Sequence, residues 1–152
     1  MAATVLPEDR ARVIGTALPV FTASADRRRL RLFADVMGET DPVYTDVAAA
    51  RAAGYPDLLV PPTFLFSLEY ERPDPHGPLL RLGIDLRNVL HAEQRFDYHT
   101  MTFAGQALEF RPVLADLYTK KEGRLFFVVR ETAVLRHGEL IATLRNTVVE
   151  QS

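Results

Sequence analysis

The sequence predicts an α+β fold: about five antiparallel strands wrapped around one buried helix, with a short helical segment ahead of it. Three observations predict it. Before about residue 85 apolar residues recur at helical spacing, whereas after it they alternate with period two. Between these regimes lies TFLFSLEYE, a segment apolar almost all round and introduced by Pro61 and Pro62. A chain of 152 residues that is 47% apolar can also bury a sizeable core in one domain, without help from disulfides or metal.

The elements follow in order. A first strand falls around Leu18 to Ala23. Ser24 or Asp26 then caps a helix in which Leu30, Phe33, Ala34 and Met37 share one face, and Gly38 ends it. Glu39 to Thr45 is a turn-rich polar stretch, after which Asp46 caps the short helix VAAARAA and Gly54 closes it. Pro61 and Pro62 lack an N–H that a first helical turn leaves unpaired anyway, so they suit the entry of a central helix whose Phe64, Leu65, Phe66 and Leu68 should be buried. Arg72 to Gly83, rich in Pro and Gly, reads as a loop crossing the surface.

In VLHAEQRFDY, Leu90, Ala92, Phe96 and Tyr98 face one way and His91, Glu93, Arg95 and Asp97 the other, as in a half-buried strand. Gln94 falls on the apolar side, where its amide needs a partner. Three more strands, ALEFRPVLADLYTKK, RLFFVVRETAVLR and LIATLRNTVVE, are separated by hairpin turns at Glu122-Gly123 and His137-Gly138. No repeat or low-complexity segment marks a second domain.

Composition removes several function classes. Eighteen basic against twenty acidic side chains leave no nucleic-acid footprint, and the cluster Arg27, Arg28, Arg29 and Arg31 reads as a solvated helix face. The absence of cysteine excludes a thiol nucleophile and a disulfide, and fits a reducing cytoplasm. No apolar run approaches the ~18 residues of a membrane span, and the segment MAATVLPEDRARV has no long apolar run before its first charges. A soluble, unprocessed, cytoplasmic chain is expected. No histidine pair has helix-ligand spacing, and no phosphate-binding glycine loop or G-x-S-x-G elbow is present, so neither a metal nor a cofactor is expected.

Three pieces together carry a resemblance: GETDPVYTD at 38–46, AAARAAGYPDLLVPPTF at 48–64 and VLHAEQRFDYH at 89–99, followed by the run of long strands. The chain resembles the MaoC-like hydratases of the hot-dog fold, and more narrowly their type-I-fatty-acid-synthase-like dehydratase branch. The resemblance covers residues 17–152, leaving 1–16 as an N-terminal extension. It implies reversible hydration of 2-enoyl thioesters of coenzyme A or acyl carrier protein to (R)-3-hydroxyacyl thioesters in fatty acid metabolism. That reaction needs a base for water, a proton donor for the α carbon and donors for the enolate-like oxygen.

In the family an Asp and a His in a D-x-N-P-x-H loop take the first two roles. Here the loop reads Glu39, Asp41, Pro42 and Tyr44 at the corresponding positions, so only the proline is unchanged. Glu39 could serve as base, although a displacement of about 1 Å costs on the order of a hundredfold. Tyr44, with an unperturbed pKa of about 10, donates a hydrogen bond but does not exchange protons as histidine does. Backbone N–H groups near Pro61, Pro62 and Thr63 would meet the thioester carbonyl. The branch's H-G-x-Q motif appears as His91-Ala92-Glu93-Gln94, making His91 the remaining candidate imidazole and Gln94 a substrate-binding candidate with Asp41.

Each candidate also has a structural reading. Glu39, Thr40 and Asp41 suit a polar turn, Tyr44 a partly buried aromatic, and Asp46 an N-cap. The strand alternation turns His91 toward an outer face or a subunit contact. His76, His99 and His137 are expected at the surface. Two functions from different classes follow: a cofactor-free hydratase or dehydratase using Glu39 with Tyr44 or His91, and a non-catalytic subunit paired with a MaoC-like chain that keeps its Asp and His. A hot-dog thioesterase using Glu39 or Asp41 ranks third. Each requires dimerisation, with a second copy or a different chain, to cover an edge strand and apolar surface.

Overall fold

Period-two alternation produces the sheet on which everything else is placed. A computed structural model describes residues 12–152, so most of the expected extension at 1–16 lies outside the described residues. Strands β1 (Phe21–Ala23), β2 (Val89–Tyr98), β3 (Leu108–Lys120), β4 (Leu125–Arg136) and β5 (Glu139–Gln151) form one antiparallel sheet in the order β1-β3-β4-β5-β2. Before β1 the chain is already tied to the sheet: the Gly15 N–H donates to the Leu114 carbonyl at 2.7 Å, and Ala17 bridges Val113. The β4–β5 turn is His137-Gly138 with φ of 49° and 79°, two adjacent left-handed residues that match the twist of a tight hairpin.

Helix α1 (Arg27–Met37) is capped as anticipated by Asp26, whose carboxylate accepts from the Arg29 N–H, and by Gly38 at φ 69°. Its Leu30 and Ala34 are buried, but Met37, expected on the same face, is 61% exposed. Leu32 and Val36 are exposed as well. The arginines are not merely a solvated face. Arg27 pairs with Asp57 at 2.6 Å, Arg29 pairs with Glu71, and Arg31 Nε donates to the Thr45 carbonyl at 2.8 Å.

The central helix, α3 (Phe64–Glu69), follows the short helix α2 (Val47–Ala52). Leu65 and Leu68 are fully buried against Phe110, Val134, Ile141 and Leu144 of the sheet. Each such side chain contributes about 1.5–3 kcal/mol, far more than the intrinsic propensity of a six-residue helix supplies. A second core at the other end of the sheet joins Leu82 and Ile84 to Leu114, Leu117 and Phe126.

The segment anticipated as a surface loop, Arg72 to Gly83, departs from that reading. Gly77–Arg81 forms helix α4, with Pro78 in its first turn, where a missing N–H does no harm, and with Leu79 packed on the second core. Arg72 is buried, donating to the carbonyls of Glu69 at 3.2 Å and Pro75 at 2.7 Å. Its pKa is pulled down to about 10 by burial and by the charge of Arg130.

Glu69, at the end of α3, is 1% exposed and accepts from Arg130 Nε at 2.9 Å and from the Thr132 hydroxyl. Its carboxylate pairs with Arg130, whose charge in turn depresses Arg72, so its removal leaves the buried Arg130 without this partner beside a like charge. Glu69→Ala should cost about 3–5 kcal/mol, whereas Glu69→Gln, which keeps an oxygen acceptor, should cost less. Urea unfolding of the two variants tests this order.

Candidate functional site

The polar loop after α1 is organised by its own carboxylates. The Gly38 N–H returns to the carbonyls of Ala34 and Asp35, and the Glu39 N–H donates to Ala34 at 2.8 Å, so the helix end fixes where the loop starts. Glu39 Oε1 then accepts from the Asp41 N–H at 2.9 Å. Asp41 Oδ1 accepts from Val43 N–H at 3.1 Å and caps the 3-10 turn Pro42–Tyr44. Asp46 accepts from Ala48 and Ala49 and caps α2. All three acidic side chains point back to their own backbone, and all three are exposed. The Leu59 N–H donates to the Val43 carbonyl at 3.1 Å, which ties the loop to the approach of α3.

Tyr44 is half-buried and lines a cavity of 380 Å³ with Leu59, Val60, Pro62 and Met101. Burial raises its pKa, and the charges of Glu39 and Asp41 raise it further. The hydroxyl therefore stays protonated at neutral pH: a donor, not a base. Tyr98 lines the same cavity and donates its hydroxyl to the Pro62 carbonyl, fixing the end of β2 against the start of α3. Thr63 carries no side-chain cap for that helix, and the two prolines before it have no N–H to offer.

His91 lies elsewhere. A β-bulge between His91 and Glu93 adds a residue to β2 opposite β5 and breaks the simple alternation. His91 is thereby turned onto the same side as Gln94 and Phe96, not away from it. With Phe66 and Ser67 these residues line a groove between α3 and β2 that Phe33, Met37 and Thr63 continue. The partner that Gln94 needs is Asn146 of β5, which is buried and donates its Nδ2 to Gln94 Oε1 at 3.0 Å and to His91 Nε2 at 2.6 Å. That contact ties the His91 ring to a buried amide of the neighbouring strand.

The sequence-predicted residues are thus divided, with Pro61 buried and lining neither concavity. Tyr44 and Pro62 line the cavity, with Glu39 and Asp41 close by in the loop, while His91, Gln94 and Thr63 line the groove on another side of α3. The cavity contains an imidazole that sequence reasoning did not place there. His99, just past β2, is exposed as anticipated, yet it lines the cavity beside Tyr44, Thr100 and Thr102. Nothing in the local sequence marks it, because only the pairing of β2 with β5 brings the strand's end to the start of α3.

Among known proteins, the family model for the FAS1-like dehydratase domain region matches residues 12–144. A UPF0336 protein of Saccharopolyspora erythraea is 31% identical over 144 residues, covering 95% of this chain and 92% of its own. One from Streptomyces griseus is 31% identical over 147 residues, with 95% of each chain covered.

Among solved structures, the ChsH1-ChsH2 complex from Mycobacterium tuberculosis superposes with a TM-score of 0.76 at 21% identity, over 95% of this chain and 89% of that one. The C-terminally truncated HadBC complex of the same organism, a 3R-hydroxyacyl-ACP dehydratase, gives 0.75 at 24%, over 90% and 96%. The (R)-hydratase of A. caviae gives 0.68 at 16%, over 91% and 96%. At these identities the likeness shows the fold, which is the hot-dog fold.

The electrostatics of Tyr44 can be read by alkaline titration followed in ultraviolet absorbance. Subtracting the curve of Tyr44→Phe from that of the parent should isolate a phenol ionising above the ordinary value of about 10. In Glu39→Gln that transition should move down but stay above the ordinary value, since burial is the larger cause. A return to the ordinary value would show that the loop's charge dominates instead.

Proposed function

The chain belongs to the FAS1-like dehydratase family, and from that premise we propose that it is the non-catalytic half of a two-chain (R)-specific 2-enoyl-thioester hydratase or 3-hydroxyacyl-thioester dehydratase. Its role is to wall the acyl-binding region and to stabilise a partner of the same fold that carries the proton-transfer groups. The substrate is a thioester of coenzyme A or acyl carrier protein.

The observation that carries this reading is the chemistry of the loop. Hydration needs one group that removes a proton from water and another that returns one to carbon. Glu39 is turned onto the Asp41 N–H, Asp41 onto the Val43 N–H, and Tyr44 is held in its protonated form. The loop itself thus offers a donor for an oxygen and two carboxylates bonded to their own backbone, and the imidazole that lines the cavity, His99, comes from beyond β2 and not from the loop. His91 is hydrogen-bonded to Asn146 and sits in a different concavity.

The surface supports a partner. Strand β2 is a ten-residue edge with its outer hydrogen-bonding side open among the described residues, and Leu90 on it is 53% exposed. On α1, Leu32 and Val36 are 62% and 75% exposed beside the groove that α3 makes with α1. Exposed apolar side chains grouped along a groove mark an interaction surface. The two Mycobacterium tuberculosis structures are both complexes of paired chains, which supports a partner different from a second copy.

The test is an enoyl-thioester hydration assay on crotonyl-CoA with the purified chain, with a hot-dog hydratase chain that keeps its Asp and His, and with both. Alone the chain should stay at background, and adding it should raise the partner's rate by about tenfold or more, a gain of about 1.4 kcal/mol in transition-state stabilisation. Glu39→Ala should leave the rate of the mixture within about twofold, while Leu32→Asp with Val36→Asp should abolish the stimulation by preventing association. Robust turnover by the chain alone would overturn the reading.

A further inference from the structure

We propose that Tyr98 is a gate between the 380 Å³ cavity and the 310 Å³ groove along α3, held shut by the hydrogen bond from its hydroxyl to the Pro62 carbonyl. A short aliphatic tail fits the cavity with the gate shut, and a longer one must open it to reach the groove. This rests on the reading of the chain as half of a thioester hydratase or dehydratase, and adds to it the residue that sets the tail length.

The two concavities abut where β2 meets the entry of α3. Pro62 and Thr63 are consecutive there, and the first lines the cavity while the second lines the groove. On β2, Tyr98 lines the cavity and Phe96 the groove, with their rings stacked at a centroid distance of 6.4 Å. Residues two apart on a strand share a face, so these two rings form one continuous wall. The hydrogen bond from Tyr98 to Pro62 therefore lies on the boundary and ties strand to helix across it.

Both sides of the gate suit an aliphatic chain. Leu59, Val60 and Met101 wall the cavity, and Phe33, Met37, Phe66 and Phe96 form most of the groove. No carboxylate, lysine or arginine lines the groove. Met37, unbranched and 61% exposed, can repack over a guest. Each methylene moved from water onto such a wall improves binding by about fourfold, which is the gain available to a tail that passes the gate.

The frame around the gate is fixed, whereas the gate is a single side chain. The N–H groups of His99 and Thr100 both donate to the Ile141 carbonyl, at 2.8 and 3.3 Å. The Val60 N–H donates to Thr102 O at 3.0 Å, and Arg136 bridges the Met101 carbonyl and Gln106 Oε1 at 3.1 and 3.0 Å. Tyr98 itself is 38% exposed, so turning its ring displaces no packed core. Burial raises the pKa of its phenol, which stays a donor through the neutral range. Opening therefore costs chiefly one hydrogen bond, and a ligand that requires the open state binds more weakly in proportion to how rarely that state is populated.

Calorimetric titration of the full chain with the N-acetylcysteamine thioesters of butanoate and of decanoate tests the gate. Tyr98→Phe removes only the hydroxyl, and should raise the affinity for decanoyl relative to butanoyl by about 3- to 10-fold, the range one hydrogen bond supplies. Tyr44→Phe removes a phenol hydroxyl from the same cavity without touching the gate, and should leave that ratio within about twofold. Met37→Glu, added to Tyr98→Phe, puts a charge in the groove alone; it should cancel the gain on decanoyl and leave butanoyl binding intact. All three side chains are at least partly exposed, so the variants retain the fold, which circular dichroism verifies.

A ratio unchanged in Tyr98→Phe, an equal rise in Tyr44→Phe, a gain that survives Met37→Glu, or no binding of either ligand would overturn the inference. The crotonyl-CoA assay separates this from the functional reading itself. Stimulation of a partner with no change of ratio in Tyr98→Phe would sink only the gate, and the expected change of ratio without stimulation would sink only the pairing.

Discussion

A six-residue helix does not persist in water, so α3 exists because the sheet closes over it. Leu65 and Leu68 supply the burial that holds it there, and Glu69 fixes its end through Arg130 and Thr132. The anchor is electrostatically asymmetric. A lone carboxylate faces Arg130, with Arg72 close enough to feel its charge, and desolvating these groups offsets much of what their attraction provides. Net stabilisation therefore comes from the leucines, while the ionic cluster determines where the helix stops. Everything of functional interest is placed by that helix: the cavity of Tyr44 and His99 at its start, and the groove of His91 and Gln94 along its flank.

The same scaffold separates shape from chemistry. Gly38, Pro42 and Asp46 give the loop after α1 a defined course, and Arg31 ties that course to the helix through the Thr45 carbonyl. Surface ion pairs such as Arg27–Asp57 are screened by solvent and contribute little, and the loop is held chiefly by its backbone and carboxylate-to-backbone hydrogen bonds. Those bonds turn Glu39 and Asp41 inward on the loop. Each of these carboxylates accepts from a backbone N–H of the loop, and the half-buried Tyr44 phenol beside them is held protonated, its pKa raised by burial and by their charge. Family membership describes the framework, whereas the residues in the loop differ from the family's catalytic pair.

Local sequence rules disclosed what local physics determines. The caps Asp26 and Asp46, the terminating Gly38 and the turns at Glu122-Gly123 and His137-Gly138 are settled within a few residues, and all appear where spacing and residue type place them. What escaped depends on partners distant in the chain. The bulge after His91 is visible only in the register of β2 against β5, yet it reverses which side the imidazole faces. Helix α4 and the inward turn of Arg72 follow from a second core and from Glu69, neither of which the Pro- and Gly-rich composition reveals. Met37 extends the apolar stripe of α1 beyond the part the core covers, so periodicity alone counts it as buried. His99 reaches Tyr44 only through sheet pairing, and no spacing in the sequence connects them.

The central claim is that this chain keeps the binding shape of a thioester hydratase without its proton transfer. The most direct measurement is deuterium incorporation at C2 of a 3-hydroxyacyl thioester incubated in heavy water with the purified chain, followed by mass spectrometry. Exchange requires a base able to reach that carbon and does not require net turnover. The account predicts no incorporation above the buffer control by the chain alone, and incorporation once a hot-dog partner with an intact Asp and His is added. Exchange catalysed by the chain alone, and lost in Glu39→Ala, would contradict it.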